Sequence, residues 1–126
     1  MKKLQNNFTT PEQSKRLLEL GLPADSADML WDGTYDLENG WEFEDYPTYS
    51  DKKYSYYQGL YREEDVVNIL PCWSVGRLME IFQVVCPYEY YNAIEQATAC
   101  NNSPADWVYN FQTYHDRLDF SKLEED

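Results

Sequence analysis

The fold is decided by residues 69–86, which read ILPCWSVGRLMEIFQVVC and form the most apolar run of the chain. Ser74 is a favourable N-cap, because its hydroxyl can accept a hydrogen bond from a free backbone N–H in the first helical turn. The apolar residues after Ser74 recur at helical spacing, and Pro87 ends the pattern, so we expect a helix that is buried on most of its circumference. Its apolar face should consist of Val75, Leu78, Met79, Phe82 and Val85, widened by Ile81 and Val84.

The residues ahead of Ser74 predict a different conformation. Pro71 has no N–H to donate and restricts Leu70 to extended backbone. We therefore expect an extended segment, a tight corner at Cys72 and Trp73, and then the central helix.

A second helix is predicted near the N-terminus. Thr10 is its N-cap, Pro11 takes the first helical position, and the Gln13 side chain can bond back to the cap. Gly21 should end this helix, since glycine readily adopts the left-handed conformation that follows a helix.

Two more helices are predicted in the C-terminal third of the chain. Residues 92–99 form the first, and Ser103 followed by Pro104 repeats the start signal of the N-terminal helix for the second. The inward-facing residues should be Ile94, Ala97 and Thr98 in the first helix and Trp107, Val108, Phe111, Tyr114 and Leu118 in the second.

The middle of the chain predicts an antiparallel hairpin, because Asn39 and Gly40 lie between two segments of alternating polarity. We expect a three-residue loop at residues 38–40, since this register puts the apolar side chains of both strands on one face. A two-residue loop would instead set Leu37 opposite Glu42. The expected cross-strand pairs are Leu37 with Trp41, Tyr35 with Phe43, and Asp36 with Glu42.

These elements predict an α+β fold with three to four helices packed on a small antiparallel sheet, in a single domain over residues 1–126. Residues 52–57 could add a strand, and residues 1–8 and 120–126 are expected to be flexible ends. A chain of this length buries roughly two-thirds of the surface that its unfolded form exposes. It therefore needs neither a disulfide nor a metal ion to fold.

The charge of the chain restricts its partners. There are 23 acidic against 10 basic residues, for a net charge of −13. Nucleic acid and anionic membrane surfaces would be repelled, so we expect no direct contact with either, whereas a basic protein partner is permitted. Surplus acid can also serve only to keep a small protein soluble. The oligomeric state is left open.

The three cysteines, Cys72, Cys86 and Cys100, form no C-x-x-C pair, and residues 1–7 do not resemble a signal peptide. We therefore expect free thiols in a reducing cytosol. No apolar run approaches the roughly 20 residues that a membrane span requires.

Few residues are suited to catalysis. Cys72 lies at the corner before a helix, where the helix N-terminus could lower its pKa, and His115 is the only histidine. A pair of these two is conceivable, but we favour a packed corner cysteine and a surface histidine. We predict no catalytic residue, no metal ligand and no cofactor, and we favour a non-enzymatic protein.

Residues 25–51, which we call the acidic-aromatic belt, combine nine acidic and six aromatic residues with no lysine or arginine. Aromatic side chains are common binding anchors, and surrounding acids select a basic partner. The alternative interpretation is a solvated hairpin whose other face packs on the core. The candidate binding residues are Trp31, Tyr35, Asp36, Trp41, Glu42, Phe43, Glu44 and Tyr46 in the belt, together with Trp73.

Three segments resemble a family of small uncharacterised acidic proteins encoded by prophages and mobile elements of gut bacteria. They are FTTPEQSKRLLELGLPADSAD at residues 8–28, PCWSVGRL at residues 71–78 and DFSKLEE at residues 119–125, together under a third of the chain. The resemblance implies a protein encoded by a phage or another mobile element and located in the host cytoplasm. It implies no catalytic residues.

Two functional hypotheses follow. The favoured one is a non-enzymatic accessory protein of a phage or mobile element that binds a basic host or element protein. A DNA mimic or an inhibitor is one form of it, since carboxylates can imitate the phosphate charges of duplex DNA. The alternative is a small-molecule-binding protein or enzyme with an aromatic-lined pocket near Trp73 and the acidic-aromatic belt.

Overall fold

The computed structural model describes residues 7–36, 40–43, 47–50, 52–58 and 67–124. Within them the chain forms five α-helices, four strands and four 3₁₀ turns. The helices are α1 (Pro11–Glu19), α2 (Tyr54–Gln58), α3 (Val75–Val85), α4 (Tyr90–Ala99) and α5 (Pro104–Thr113). The strands are β1 (Met29–Asp36), β2 (Gly40–Phe43), β3 (Thr48–Tyr49) and β4 (Val67–Cys72), and the 3₁₀ turns are Ala24–Ser26, Pro87–Glu89, His115–Arg117 and Phe120–Glu124.

The sheet is antiparallel throughout, and β1 is its central strand. β2 and β3 pair with successive parts of one edge of β1, and β4 pairs with the opposite edge from Met29↔Cys72 to Thr34↔Val67. The predicted α+β single-domain fold is confirmed. All four predicted helices form, and α2 is an addition to them.

The corner between β4 and α3 forms as predicted. β4 is extended up to Cys72, and the Ser74 hydroxyl accepts from the Arg77 N–H at 3.1 Å. The Ser74 hydroxyl also donates to the Asp28 carboxylate, which accepts the Ser74 backbone N–H as well. α3 ends at Val85, ahead of Pro87.

The α3 helix is the centre of the larger of two hydrophobic clusters. Phe82 is fully buried and contacts Trp107, Phe111 and Tyr114 edge-on, with ring centroids 5.3–5.9 Å apart. One expectation for this helix is wrong: Val84 is 45% exposed. The spacing of the apolar residues could not show that Val84 lies outside the buried face, because the placement of the neighbouring elements decides how much of the helix surface is covered. The fully or nearly fully buried residues of α3 are Val75, Leu78, Ile81, Phe82 and Val85.

The boundaries of α1 follow the predicted chemistry. The Thr10 hydroxyl accepts from the Gln13 N–H at 3.2 Å, and Gln13 Oε1 accepts from the Thr10 N–H at 2.9 Å. Gly21 follows the helix with φ of +103°. The N–H of Leu22 bonds to the carbonyl of Leu17, which completes a Schellman motif.

The α4 and α5 helices pack on the same cluster. The Ser103 hydroxyl accepts from the Asp106 N–H at the start of α5, and the Asp106 carboxylate accepts from the Ser103 N–H, as the sequence predicts for this start signal. In α4 the buried residues are Ala93 and Ala97, whereas Thr98, expected to face inward, is exposed and donates to its own helix at the Ile94 carbonyl. An exposed threonine can satisfy its hydroxyl this way without a tertiary partner.

The predicted hairpin register is wrong. Tyr35 lies opposite Trp41 and Asp36 opposite Gly40, so the pairing is shifted by two residues, and Leu37 lies outside the described residues. A shift of two preserves the alternation of strand positions, so the apolar pattern does not distinguish the two registers. Asp36 and Glu42 are therefore not a direct cross-strand pair, because Glu42 lies opposite Thr34.

The strand suggested for residues 52–57 is also wrong, because Tyr54–Gln58 form α2. The Asp25 carboxylate accepts from the Ser55 N–H at 2.8 Å and from its hydroxyl at 3.1 Å, at the first turn of the helix. The Tyr54 hydroxyl donates to the Ile69 carbonyl of β4. These contacts join residues far apart in sequence and outweigh the β-propensity of tyrosine.

The described parts of both chain ends contact the rest of the protein. Phe8 forms a β-bridge with Ser74, and the Asn7 carbonyl accepts from the Val75 N–H. In the C-terminal 3₁₀ turn, Phe120 and Leu123 pack against the larger cluster.

Candidate functional site

Strand pairing gathers the acidic-aromatic belt into one part of the sheet. The belt contains β1, β2 and β3, and both β2 and β3 pair with the same edge of β1. Positions 35 and 41 lie opposite each other on neighbouring strands, and position 49 lies opposite position 29. Strand pairing therefore brings three segments of the belt, β1, β2 and β3, next to one another in the sheet.

Two of the candidate binding residues lie in the interior. Trp31 is buried, with its indole N–H donating to the Thr9 carbonyl at 2.9 Å and its ring edge-on to Phe8. Trp73 is fully buried, and its indole N–H donates to the Ser26 hydroxyl at 3.0 Å. Both rings are thus core components, and Trp73 does not present an open face for the pocket that the alternative hypothesis placed beside it.

The remaining candidates belong to the hairpin and the segment after it. For Tyr35, Asp36, Trp41, Glu42 and Phe43 the structure describes the backbone positions given above, and Glu44 and Tyr46 lie outside the described residues. Sequence reasoning did not single out Tyr49 as a binding residue, although it is aromatic and lies in the belt. Its side chain is 76% exposed on β3.

The first acids of the belt have structural partners. Asp25 accepts from Ser55 at the start of α2, and Asp28 accepts from Ser74 at the start of α3. A negative charge near a helix N-terminus is favourable, because the helix dipole is positive there. These two carboxylates therefore stabilise the fold as well as contributing charge.

Basic residues border the same end of the belt. Lys52, Lys53 and Arg77 line an open groove of about 400 Å³ together with Asp25 and Asp28. The Arg77 Nε–H donates to the Ser26 carbonyl at 2.7 Å, which fixes the guanidinium in place. The negative charge at residues 25–28 is therefore partly compensated.

Thr9 is a buried residue that connects α1, β1 and the corner between β4 and α3. Its hydroxyl oxygen is 2.7 Å from the Ser14 hydroxyl and accepts from the Trp73 N–H at 3.1 Å. Its carbonyl accepts from the Trp31 indole and from the Cys72 thiol. Sequence reasoning missed Thr9, because a threonine next to an N-cap carries no signal that distinguishes a buried residue from an exposed one.

Cys72 does not have the lowered pKa that its position before a helix suggested. The residue is fully buried, and burial raises the pKa of its thiol to about 11. The negative charge of Asp28 acts in the same direction, and the thiol donates to the Thr9 carbonyl at 3.3 Å. The favoured interpretation, a packed corner cysteine, is confirmed, because burial of the thiol outweighs any effect of the helix N-terminus on its pKa.

His115 has a different environment. It lies in the 3₁₀ turn after α5, and its Nε2 is 2.9 Å from the Leu20 carbonyl oxygen. Among the described residues it makes no hydrogen bond to Cys72, so the structure does not assemble the nucleophile–base pair that the sequence left open. Within the same residues, no three histidine, cysteine, aspartate or glutamate side chains are grouped so that they could hold a metal ion.

No helix in the described part of the chain has the length and apolarity needed to cross a membrane. Comparisons of the chain with family models, with curated proteins and with solved structures give no match.

Proposed function

We propose that this protein is a non-enzymatic accessory protein of a phage or mobile element, which binds a basic host or element protein through the acidic-aromatic belt. The observation that carries the proposal is the composition of residues 25–51, with nine acids, six aromatic residues and no lysine or arginine. The pairing of β1 with β2 and β3 supports it, because this pairing brings segments of the belt next to one another in the sheet.

The two kinds of residue in the belt have different roles in binding. The acids attract a basic partner at long range, and in physiological salt this attraction extends over about 8 Å. The aromatic side chains supply contact area and affinity at short range. Tyr49, 76% exposed, is the described aromatic residue that is best placed for such a contact.

The proposal is tested by comparing two variants that raise the net charge equally. In the belt variant, Asp32→Asn, Asp36→Asn and Glu42→Gln are combined. The control variant combines three exposed acids outside the belt, Glu19→Gln, Glu95→Gln and Asp116→Asn.

Immobilised wild-type protein captures binding proteins from host lysate at low salt, and each captured protein is then purified for affinity measurement. We expect a basic partner whose Kd rises about tenfold or more with the belt variant, or about 1.4 kcal/mol, and changes little with the control variant. Equal weakening by both variants would mean that only overall charge matters, and unchanged affinity with the belt variant would refute the proposed surface.

The same purified partner tests the specific form of the proposal. A DNA mimic occupies the nucleic-acid site of its partner, so duplex DNA should compete with this protein for the partner. If duplex DNA does not displace this protein from the partner, DNA mimicry is excluded, whereas the proposed protein–protein interaction still holds.

A further inference from the structure

A second concave site lies on a different part of the molecule. It is a pocket of about 270 Å³ between the C-terminal end of α3 and the C-terminal segment of the chain. A hydrogen bond from the Asp119 N–H to the Val85 carbonyl holds the two walls together. We call it the tail pocket, and its apolar lining consists of Val84, Val85, Cys86, Pro87 and Tyr88.

The lining of the tail pocket is unusual for a water-exposed surface. Val84 is 45% exposed and Tyr88 is 94% exposed, and both line the pocket. Burial raises the pKa of the Cys86 thiol, so this side chain is uncharged at neutral pH and adds to the apolar floor. Adjacent apolar side chains at a concave surface are typical of a binding site.

The acids at the rim of the pocket already have partners within the chain. Glu89 accepts from the Arg117 Nη1–H at 2.6 Å with one carboxylate oxygen and from the Asn92 amide at 3.0 Å with the other. Asp119 accepts from both the backbone N–H and the hydroxyl of Ser121. About half of the acceptor capacity of these two carboxylates is therefore used, with both bonds to Asp119 on its Oδ1.

The donors at the rim are less occupied. Lys122 is exposed, and its ammonium group has no hydrogen-bond acceptor among the described residues. The pKa of the Asp119 carboxyl is lowered mainly by its hydrogen bond from the Ser121 hydroxyl, and the nearby charge of Lys122 adds to this. A guanidinium group has five N–H donors. For Arg117 the structure records one hydrogen bond from these donors, to Glu89. The pocket thus combines an apolar interior with spare cationic donors at its mouth.

From this arrangement we infer that the tail pocket binds a small apolar monocarboxylate, with its hydrocarbon body against Val84 and Tyr88 and its carboxylate at Lys122 and Arg117. The volume of about 270 Å³ is just below the range of about 300–1,000 Å³ for small-molecule sites, which fits a small acid of about eight carbons. Straight-chain and aryl acids share this chemistry. The inference is independent of the acidic-aromatic belt.

The test uses the full-length protein and three probes of similar size: octanoate, 3-phenylpropanoate and the uncharged octanamide. Calorimetry should give saturable binding of at least one carboxylate, with a Kd about tenfold lower than that of octanamide. The preference between octanoate and 3-phenylpropanoate identifies the body as straight-chain or aromatic.

Two variants with the same charge change locate the carboxylate. Lys122→Gln should abolish the preference of the protein for octanoate over octanamide, whereas Lys53→Gln, an exposed lysine that lines the groove beside Asp25 and Asp28, should leave it intact. A third variant, Val84→Trp, should fill the pocket and abolish binding of all three probes.

Three results would overturn the inference. The first is that octanamide binds as tightly as both carboxylates. The second is that Lys122→Gln and Lys53→Gln have equal effects on the preference for octanoate. The third is that neither carboxylate shows saturable binding up to about 5 mM. Thermal unfolding of each variant without a probe shows whether it is folded.

Discussion

At the scale of single residues, Thr9 makes contacts that no other polar side chain of the described core matches. It is fully buried, and its hydroxyl and carbonyl bind Ser14, Trp73, Trp31 and Cys72. These partners belong to α1, β1 and the corner between β4 and α3. One threonine therefore fixes the N-terminal segment to both the sheet and the helical layer.

Thr9→Val should destabilise the protein by about 2–4 kcal/mol. Valine has nearly the same shape but leaves the buried Trp73 N–H and Ser14 hydroxyl without this partner, at about 1–3 kcal/mol for each unsatisfied group. Urea unfolding measures the change, with the exposed Thr113→Val as a control that should stay within about 0.5 kcal/mol of the wild type. A loss below that value for Thr9→Val would show that the network is not needed for stability.

Cys72 should make the stability of the protein fall at alkaline pH. Its pKa is raised to about 11 in the folded state, so between about pH 9 and 11 the unfolded chain loses the thiol proton while the folded chain retains it. The contribution of the Cys72 thiol to the free energy of unfolding is fully present below about pH 9 and is lost as the pH rises through its folded-state pKa. The total loss is about 3 kcal/mol.

The measurement for Cys72 compares urea unfolding of the wild type and Cys72→Ala from pH 8 to about pH 11. Tyrosine ionisation affects both proteins, so the difference between them isolates the cysteine. The wild type should lose stability more steeply than Cys72→Ala. Parallel pH profiles would contradict the raised pKa.

At the scale of elements, the ends of the helices are fixed by short-range contacts. Two glycines at helix ends, Gly21 after α1 and Gly76 in the first turn of α3, should respond differently to substitution by alanine. Gly21 ends α1 with φ of +103°, and a Cβ atom there would lie 3.4 Å from the ring of Phe120. Gly76 lies in the first turn of α3, and a Cβ atom there would meet nothing within 4 Å.

The two glycine-to-alanine substitutions should have opposite effects. Gly21→Ala forces a side chain into the left-handed region and should destabilise the protein by about 1–2 kcal/mol. Gly76→Ala removes backbone freedom from the unfolded chain and should stabilise by about 0.5–1 kcal/mol. Urea midpoints of the two variants measure these changes. Stabilisation by Gly21→Ala would contradict the assignment of Gly21 as the left-handed helix end, and destabilisation by Gly76→Ala would contradict the open space at Gly76.

At the scale of the whole molecule, the net charge of −13 is not distributed evenly. Lys52 and Lys53 follow the acidic-aromatic belt directly and, with Arg77, compensate its first acids. The later acids of the belt have no lysine or arginine near them in the sequence until Lys52. This uneven distribution along the chain is the reason that the belt variant and its charge-matched control should differ in binding.

Local residue patterns were sufficient to predict the fold class, the N-caps at Thr10, Ser74 and Ser103, and the helix ends at Gly21 and Pro87. Each capping hydroxyl bonds a backbone N–H three residues away, so the signal and its structural effect lie in the same short segment. Of the candidate site, the sequence identified the belt from composition, since charge and aromatic content need no coordinates.

Only the tertiary structure decided the hairpin register, the formation of α2 and the environment of Cys72. The two hairpin registers have the same alternation, Asp25 reaches α2 from 30 residues away, and Thr9 reaches Cys72 from 63 residues away. The tail pocket likewise forms only where the end of α3 meets residues 117–122. Such features depend on which distant segments pack together, and local residue patterns do not contain that information.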